Sequence, residues 1–220
     1  MKKILSVFLV VAILLSASTV AFAEEDFIAD QDALSSVENE SVATLSLCSA
    51  VYVWPVSGHA WIYVHNNSDE PIQVGHFEVL PDQGVSVGAF SFSVSDGWGI
   101  YYNIESYKEN AKNRVDKVRS ISEEINAEQL ETLNENLIKY PNYWGFVNNC
   151  ATFAFSIWNS VTGDAYFSLL IPAITDFMIM CGGGKRGVLD MYQQPRDQVF
   201  RQVGFGENAR LELASDYSVS

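Results

Sequence analysis

Basic residues are scarce in this chain. The sequence has 13 lysines and arginines against 27 aspartates and glutamates in 220 residues. Removal of residues 1–23, which resemble a signal peptide, takes away two lysines and no acidic residue. The remaining 11 basic and 27 acidic residues give a net charge of −16. So negative a chain is repelled by nucleic acid and by anionic membranes. We therefore expect neither as a partner.

The spacings typical of metal and phosphate sites are also missing. No C-x-x-C or H-E-x-x-H pattern occurs, so nothing supports a zinc site, although one cysteine and two histidines could supply three ligands. The stretch Gly182-Gly183-Gly184-Lys185 lacks the remaining positions of a phosphate-binding loop and is predicted to be a surface turn. We expect no metal and no cofactor.

Long apolar runs are confined to the N-terminus. Lys2 and Lys3 precede an apolar segment, and Ala21-Phe22-Ala23 forms an A-x-A cleavage site, so residues 1–23 are predicted to be a signal peptide. The other apolar run, 167–180, contains a proline and an aspartate and is too short to span a bilayer comfortably. We expect a secreted bacterial protein without stable membrane insertion.

The rest of the chain is predicted to be one α+β domain after a spacer. Residues 24–46 are acidic and serine-rich, without periodicity, and are expected to be flexible, whereas 47–220 form the domain. Strands are expected at 49–55, 58–65, 72–79, 84–94, 98–104 and 210–214. Helices are expected at 105–119, with a charged outer face, and at 126–140, 150–163 and 172–181.

One helix places a cysteine at its start. The apolar residues from Cys150 to Val161 recur at spacings of three and four, and Asn148 or Asn149 can act as the N-cap. The N–H groups and the dipole of a helix N-terminus favour a thiolate. Packing of a small buried thiol is the competing interpretation. If Cys48 and Cys181 pair, Cys150 is the free thiol; the alternative that both are reduced stays open.

Two histidines accompany this cysteine. His59 and His76 lie on the expected strands 58–65 and 72–79, and a turn centred near Asn67 and Ser68 places them opposite one another or one residue off. A thiol needs a base to take its proton, and the base needs a polar group to fix its tautomer. Cys150, His59 and His76 are therefore the candidate catalytic residues.

These motifs resemble a known superfamily. Asn148-Asn149-Cys150-Ala151-Thr152-Phe153-Ala154, preceded by Tyr143 and Trp144 and combined with the upstream Gly58-His59-Ala60, is similar to the circularly permuted papain-like hydrolases. Their relatives include lecithin:retinol acyltransferase-like proteins, permuted NlpC-type peptidases and PPPDE-type isopeptidases. The resemblance covers roughly residues 50–163. It implies a papain-like domain with Cys150 as nucleophile, His59 as general base and His76 as the orienting group.

The resemblance also implies a reaction. Cys150 would attack an amide or peptide bond, with a cell-wall peptide as a candidate substrate, and water would hydrolyse the resulting thioester. The Cys150 N–H could serve as one oxyanion donor, and Tyr52, Trp54 or Tyr63 could line the cleft. Two alternatives stay open: an acyltransferase or lipid hydrolase with the same dyad, and a non-catalytic module that displays Trp54 and Trp61 to a ligand. The sequence leaves the oligomeric state open.

Overall fold

The computed structural model describes residues 40–53, 57–90, 97–111, 114–141, 148–166 and 172–214. These residues belong to one unit, Glu40–Ser220. The strands are β1 (Ala43–Val53), β2 (Ser57–Asn66), β3 (Ile72–Val74), β4 (Phe77–Val79), β5 (Gly84–Phe90), β6 (Gly99–Tyr102), β7 (Arg119–Ile125), β8 (Lys185–Arg186), β9 (Phe200–Val203) and β10 (Arg210–Leu213). The helices are α1 (Ile104–Ala111), α2 (Ala127–Lys139), α3 (Cys150–Thr162) and α4 (Pro172–Cys181).

Eight of the strands form one sheet. Their order is β10-β9-β6-β5-β2-β1-β7-β8, with antiparallel neighbours throughout, and β3 and β4 form a separate two-stranded hairpin. β2 lies between β1 and β5, near the centre of the sheet. The described fold is thus α+β, as the sequence predicts at this level.

The two faces of the sheet bury different side chains. Because side chains alternate along a strand, Ala60, Ile62 and Val64 of β2 point to one face and His59, Trp61 and Tyr63 to the other. The first face packs against α2 and α3 and forms the largest apolar cluster. We call this face the helix face.

The second face buries two smaller clusters. Trp61 and Tyr63 pack there with Cys48, Val118 and Met191. A neighbouring cluster contains Phe90, Tyr101, Ile104, Val199 and Ala214. We call this side the histidine face, because His59 belongs to it by strand alternation. α1 begins at Ile104 and covers part of this face.

Several local predictions are confirmed because short-range signals decide them. Asn126 caps α2 through a capping box with Gln129. Asn149 caps α3 in the same way through Thr152, and α3 ends at Gly163 in the left-handed conformation. Helix α4 spans the expected residues 172–181.

Other predictions are wrong. The helix expected at 105–119 ends at Ala111 in the described chain, and its last predicted residues form a 3-10 turn, Val115–Lys117, and the start of β7. The strand expected at 72–79 is the hairpin β3–β4, because Gly75 turns the chain with a φ of 59°. β1 begins at Ala43, before the predicted spacer boundary at residue 46.

Among the described helices, none is long and apolar enough to cross a membrane.

Candidate active site

Cys150 is the first residue of α3. Asn149 precedes it as N-cap and accepts hydrogen bonds from the N–H groups of Ala151 and Thr152, at 2.9 and 3.1 Å. Apolar residues at helical spacing bury α3 against the helix face of the sheet. The packing of this face therefore fixes the end of the helix that carries the half-buried thiol.

His59 approaches from β2. Its backbone is held by β1, where its cross-strand partner is Ala50. The ladder between β2 and β5 runs from Ile62 to His65 and ends before His59. Just beyond that end, the N–H of Ala60 donates to the Cys150 thiolate. The thiol on the helix face and the imidazole on the histidine face thus meet where β2 is no longer paired with β5.

The thiol and the imidazole are electrostatically coupled. Burial alone would raise the pKa of Cys150, but the charge of His59, a hydrogen bond from its ring and the N–H groups of Ala60 and Ala151 lower it. Burial alone would lower the pKa of His59, but the Cys150 thiolate and the hydrogen-bonded Glu105 carboxylate raise it well above its usual value. The lowered pKa of Cys150 and the raised pKa of His59 together favour a thiolate–imidazolium pair.

Glu105 is the third member of the cluster. It lies in the first turn of α1, only 2% of its side chain is exposed, and its Oε1 is 2.7 Å from His59 Nε2. The imidazolium N–H donates to this carboxylate. Because Nε2 is engaged there, Nδ1 is the ring nitrogen left to face the thiol. Glu105 therefore fixes both the orientation and the tautomer of His59.

The sequence between β5 and α1 brings this carboxylate into place. Asn103 adopts the left-handed conformation, with a φ of 67°, and its N–H donates to Ser86 O at 2.7 Å. The N–H of Ser106 donates to the Ser86 hydroxyl at 3.1 Å. Two residues further along β5, a Cβ on Gly88 would lie 2.0 Å from Glu105 Oε1 and 3.0 Å from His59 Nε2. Only glycine leaves this space open.

Two aromatic rings enclose the imidazole. Phe90 lies 4.3 Å from the His59 ring centroid, and Trp61 stacks at 5.7 Å with an interplanar angle of 16°. The faces of both rings carry partial negative charge and favour a neighbouring cation. This packing restricts the rotation of His59 and supports its protonated form.

Comparison with known proteins gives no match. No family model, curated protein or solved structure is similar to this chain.

His76 does not take the predicted position. It lies in the turn between β3 and β4, and its N–H donates to the Tyr102 hydroxyl at 3.4 Å, on the helix face of the sheet. The predicted pairing of His59 with His76 is wrong, because β2 pairs with β1 and β5 while β3 pairs with β4. Glu105, and not His76, occupies the site against His59.

Sequence reasoning missed Glu105 because it expected α1 to expose its charges. Glu105 and Glu109, one turn apart, are 2% and 1% exposed and face the sheet. The sequence feature that could have indicated them is their i, i+4 spacing, which places both carboxylates on one side of the helix. The local sequence does not distinguish this buried acidic face of the helix from a solvent-exposed one.

The remaining candidate residues are buried, exposed or outside the described ranges. Tyr63 and Trp61 are buried within the histidine face and do not line a cleft or display a ring to solvent, whereas Tyr52 is 41% exposed. Trp54, Tyr143 and Trp144 lie outside the described residues. In the described ranges no three His, Cys, Asp or Glu side chains are grouped to hold a metal ion.

The three cysteines are in different environments. All are free thiols: Cys48 is buried, Cys150 is half-buried and Cys181 is exposed. Burial, and then the charge of Glu105, raise the pKa of Cys48. The chain thus carries one thiol whose pKa is lowered and one whose pKa is raised.

Proposed function

We propose that this protein is a cysteine hydrolase that cleaves an amide or peptide bond through Cys150, His59 and Glu105. The observation that carries the proposal is the contact of one imidazole with both a helix N-terminal thiol and a buried carboxylate. This arrangement contains a nucleophile, a base and an orienting group within hydrogen-bond reach. Glu105 takes the role that the sequence predicts for His76.

The first chemical step is acyl transfer to sulfur. The Cys150 thiolate attacks the carbonyl carbon and forms a C–S bond, while the carbonyl oxygen becomes an oxyanion. The Cys150 N–H, at the helix N-terminus, supplies one donor to that oxyanion. The C–N bond then breaks, and the His59 imidazolium gives its proton to the departing amine. A thioester and a neutral imidazole remain.

The second step releases the acyl group. Neutral His59 takes a proton from water, and the resulting hydroxide attacks the thioester carbon. The C–S bond breaks, the carboxylic acid product leaves, and the thiolate and imidazolium are restored. Glu105 keeps its hydrogen bond to His59 Nε2 throughout, so the ring faces the sulfur in both steps.

The substrate class rests on the sequence resemblance. The resemblance to the permuted papain-like hydrolases and the predicted export together favour a peptide substrate, with cell-wall peptides as the first class to test. The acyltransferase alternative uses the same thioester and differs only in the second nucleophile. A display module built on Trp61 is not favoured, because that side chain is fully buried.

The test measures the reactivity of the Cys150 thiol and therefore needs no known substrate. The rate of iodoacetamide alkylation at Cys150, located by mass spectrometry, is followed against pH in the parent protein and in His59→Ala. We expect half-maximal alkylation well below about pH 8.5 in the parent and a return toward that value in His59→Ala. An activated ester is then used to trap acylated Cys150.

Two outcomes would overturn the proposal. Alkylation with the pH dependence of an ordinary thiol in the parent protein would show that Cys150 is not activated. An activated thiol that never accepts an acyl group from esters or peptidoglycan fragments, with product analysis by chromatography, would remove the hydrolase and transferase mechanisms alike. A non-catalytic role would then replace them.

A further inference from the structure

A second buried carboxylate lies one helical turn beyond the active-site one. Glu109 of α1 is 1% exposed, and its Oε1 accepts hydrogen bonds from the Tyr52 hydroxyl at 2.9 Å and from Arg114 Nη2 at 3.0 Å. The guanidinium of Arg114 also lies 4.7 Å from the centroid of the Tyr52 ring. These three residues form what we call the brace.

The brace connects the same elements as the active site. Tyr52 is on β1, two residues after Ala50, which is the cross-strand partner of His59. α1 therefore contacts the β1–β2 pair twice, through Glu105 to His59 and through Glu109 to Tyr52. Glu105 and Glu109 therefore join the same helix to the same pair of strands, one helical turn apart.

Charge is the second link between the two contacts. Two carboxylates one turn apart and away from water repel each other unless a cation compensates one of them. Arg114 is the cation bonded to Glu109. Burial and the Glu109 carboxylate raise the pKa of the Tyr52 hydroxyl, so Tyr52 remains a neutral donor. The compensation therefore comes from Arg114 alone within the brace.

We propose that Arg114 is a positioning residue that acts through Glu109 to set the pH range in which Cys150 and His59 are both charged. This inference rests on the proposed function. With Arg114 present, the brace is neutral and the field at the thiol comes from His59 and the N–H groups of Ala60 and Ala151. Without it, an uncompensated negative charge remains beside the site.

Few other ionisable groups on the surrounding elements face the site. Between Gly84 and Phe90, β5 has none, α3 contributes only Cys150, and β6 contributes Tyr101 and Tyr102. The remaining ionisable side chains on β1, β2 and α1 are Cys48, Tyr63, His65, Tyr107 and Lys108. Over the helix face, Asp176 of α4 is compensated by Arg119 and Arg186. The effect of a charge change at Glu109 or Arg114 on Cys150 and His59 can therefore be told apart from the effects of other charges.

The sign of each effect follows from the charge removed. In Arg114→Ala the uncompensated Glu109 carboxylate disfavours the thiolate, so the alkylation profile of Cys150 moves to higher pH. In Glu109→Gln the uncompensated guanidinium favours the thiolate, and the profile moves to lower pH. A unit charge about one helical turn beyond Glu105 predicts shifts of about half a pH unit. The double variant has neither charge and returns close to the parent profile.

The experiment is the iodoacetamide profile of Cys150 in the full chain for these three variants. Tyr52→Phe is the matched control, because it removes a hydrogen bond from the brace but no charge; its profile should not move. Circular dichroism and thermal unfolding check each fold. If Arg114→Ala does not fold, the direction of the Glu109→Gln shift decides the question.

Shifts of opposite sign with return in the double variant would support the inference. A shift in the same direction for both single variants, or none, would overturn it, because a purely structural role predicts lost stability without a reversal of sign. The parent profile is measured first. A parent thiol that is not activated removes both the proposed function and this inference, whereas an activated parent with unmoved variants removes only the inference.

Discussion

Gly88 and Glu105 share a space that admits no further atom. A Cβ on Gly88 would lie 2.0 Å from Glu105 Oε1, closer than any non-bonded contact permits. The glycine in β5 is therefore a condition for the carboxylate in α1 to reach His59. The two residues are 17 positions apart in the sequence and meet only because β6 returns beside β5 and leads into α1.

Gly88→Ala should separate the carboxylate from the imidazole. We expect the alkylation profile of Cys150 to move toward that of an ordinary thiol, because His59 loses its fixed orientation. Glu105→Ala tests whether the effect of Gly88→Ala acts through the Glu105 carboxylate. If the clash acts through the carboxylate, adding Gly88→Ala to Glu105→Ala should change the profile little. Full additivity of the two effects would contradict this explanation.

Glu105→Gln should retain the shape of the side chain and lose its charge. Without the carboxylate the imidazolium is less favoured, and we expect the turnover of any accepted substrate to fall about 10²- to 10⁴-fold. His76→Ala is the control, because His76 lies in the β3–β4 turn on the other face. Equal losses in the two variants would contradict the assignment of Glu105 as the orienting group.

Activity should follow a bell-shaped pH profile. As pH rises through the lowered pKa of Cys150 the thiolate forms, so activity rises. As pH rises further, through the raised pKa of His59, the imidazolium loses the proton that the leaving amine needs, so activity falls. Initial rates across pH measure both limbs. A rate that rises with pH and then stays level would show that proton donation by His59 is not required.

The three cysteines should react with iodoacetamide in a fixed order. We expect Cys150 to be modified first at neutral pH, because its pKa is lowered, and Cys48 to stay unmodified in the folded protein, because it is buried and its pKa is raised. Cys181 is exposed, so Cys181→Ser simplifies the mass spectra without touching the site. Modification of Cys48 at the rate of Cys150 would contradict the described burial.

The two capping boxes offer a comparison of stability with reactivity. Asn126→Ala and Asn149→Ala each remove an N-cap side chain that bonds the N3 backbone N–H, and each should lower the free energy of unfolding by about 1 kcal/mol. Only Asn149→Ala changes the helix end beside the thiol. We therefore expect the alkylation profile to change in that variant and not in Asn126→Ala, with both measured by thermal unfolding and mass spectrometry.

Local signals explain how far the sequence predicts the site. Cys150 follows an asparagine cap and begins an apolar stripe, so its place in the first turn of a helix can be derived from neighbouring residues alone. His59 lies in a run of aromatic and β-branched residues, which predicts its strand. The contact between them needed the resemblance, because 91 positions separate the two and no periodicity reaches so far.

The misses share one physical cause. Val115 and Val118 continue the helical spacing of Tyr107 and Ala111, but they lie in a 3-10 turn and just before β7, whose pairing with β1 outweighs helix propensity. Glu105 and Glu109 have the composition of a solvated helix face, and only tertiary partners make their burial favourable. In both cases the deciding contacts are remote in sequence.

The meeting of the two faces at the end of the β2–β5 ladder has a consequence for folding. α3 brings the thiol from the helix face, β2 carries the imidazole, and α1 brings the carboxylate from the histidine face, so a sheet covered on only one face lacks one member of the site. A chain in which α3 has packed but α1 has not holds the thiol and its base without the carboxylate that orients the base. The complete site therefore exists only when both faces of the sheet are covered.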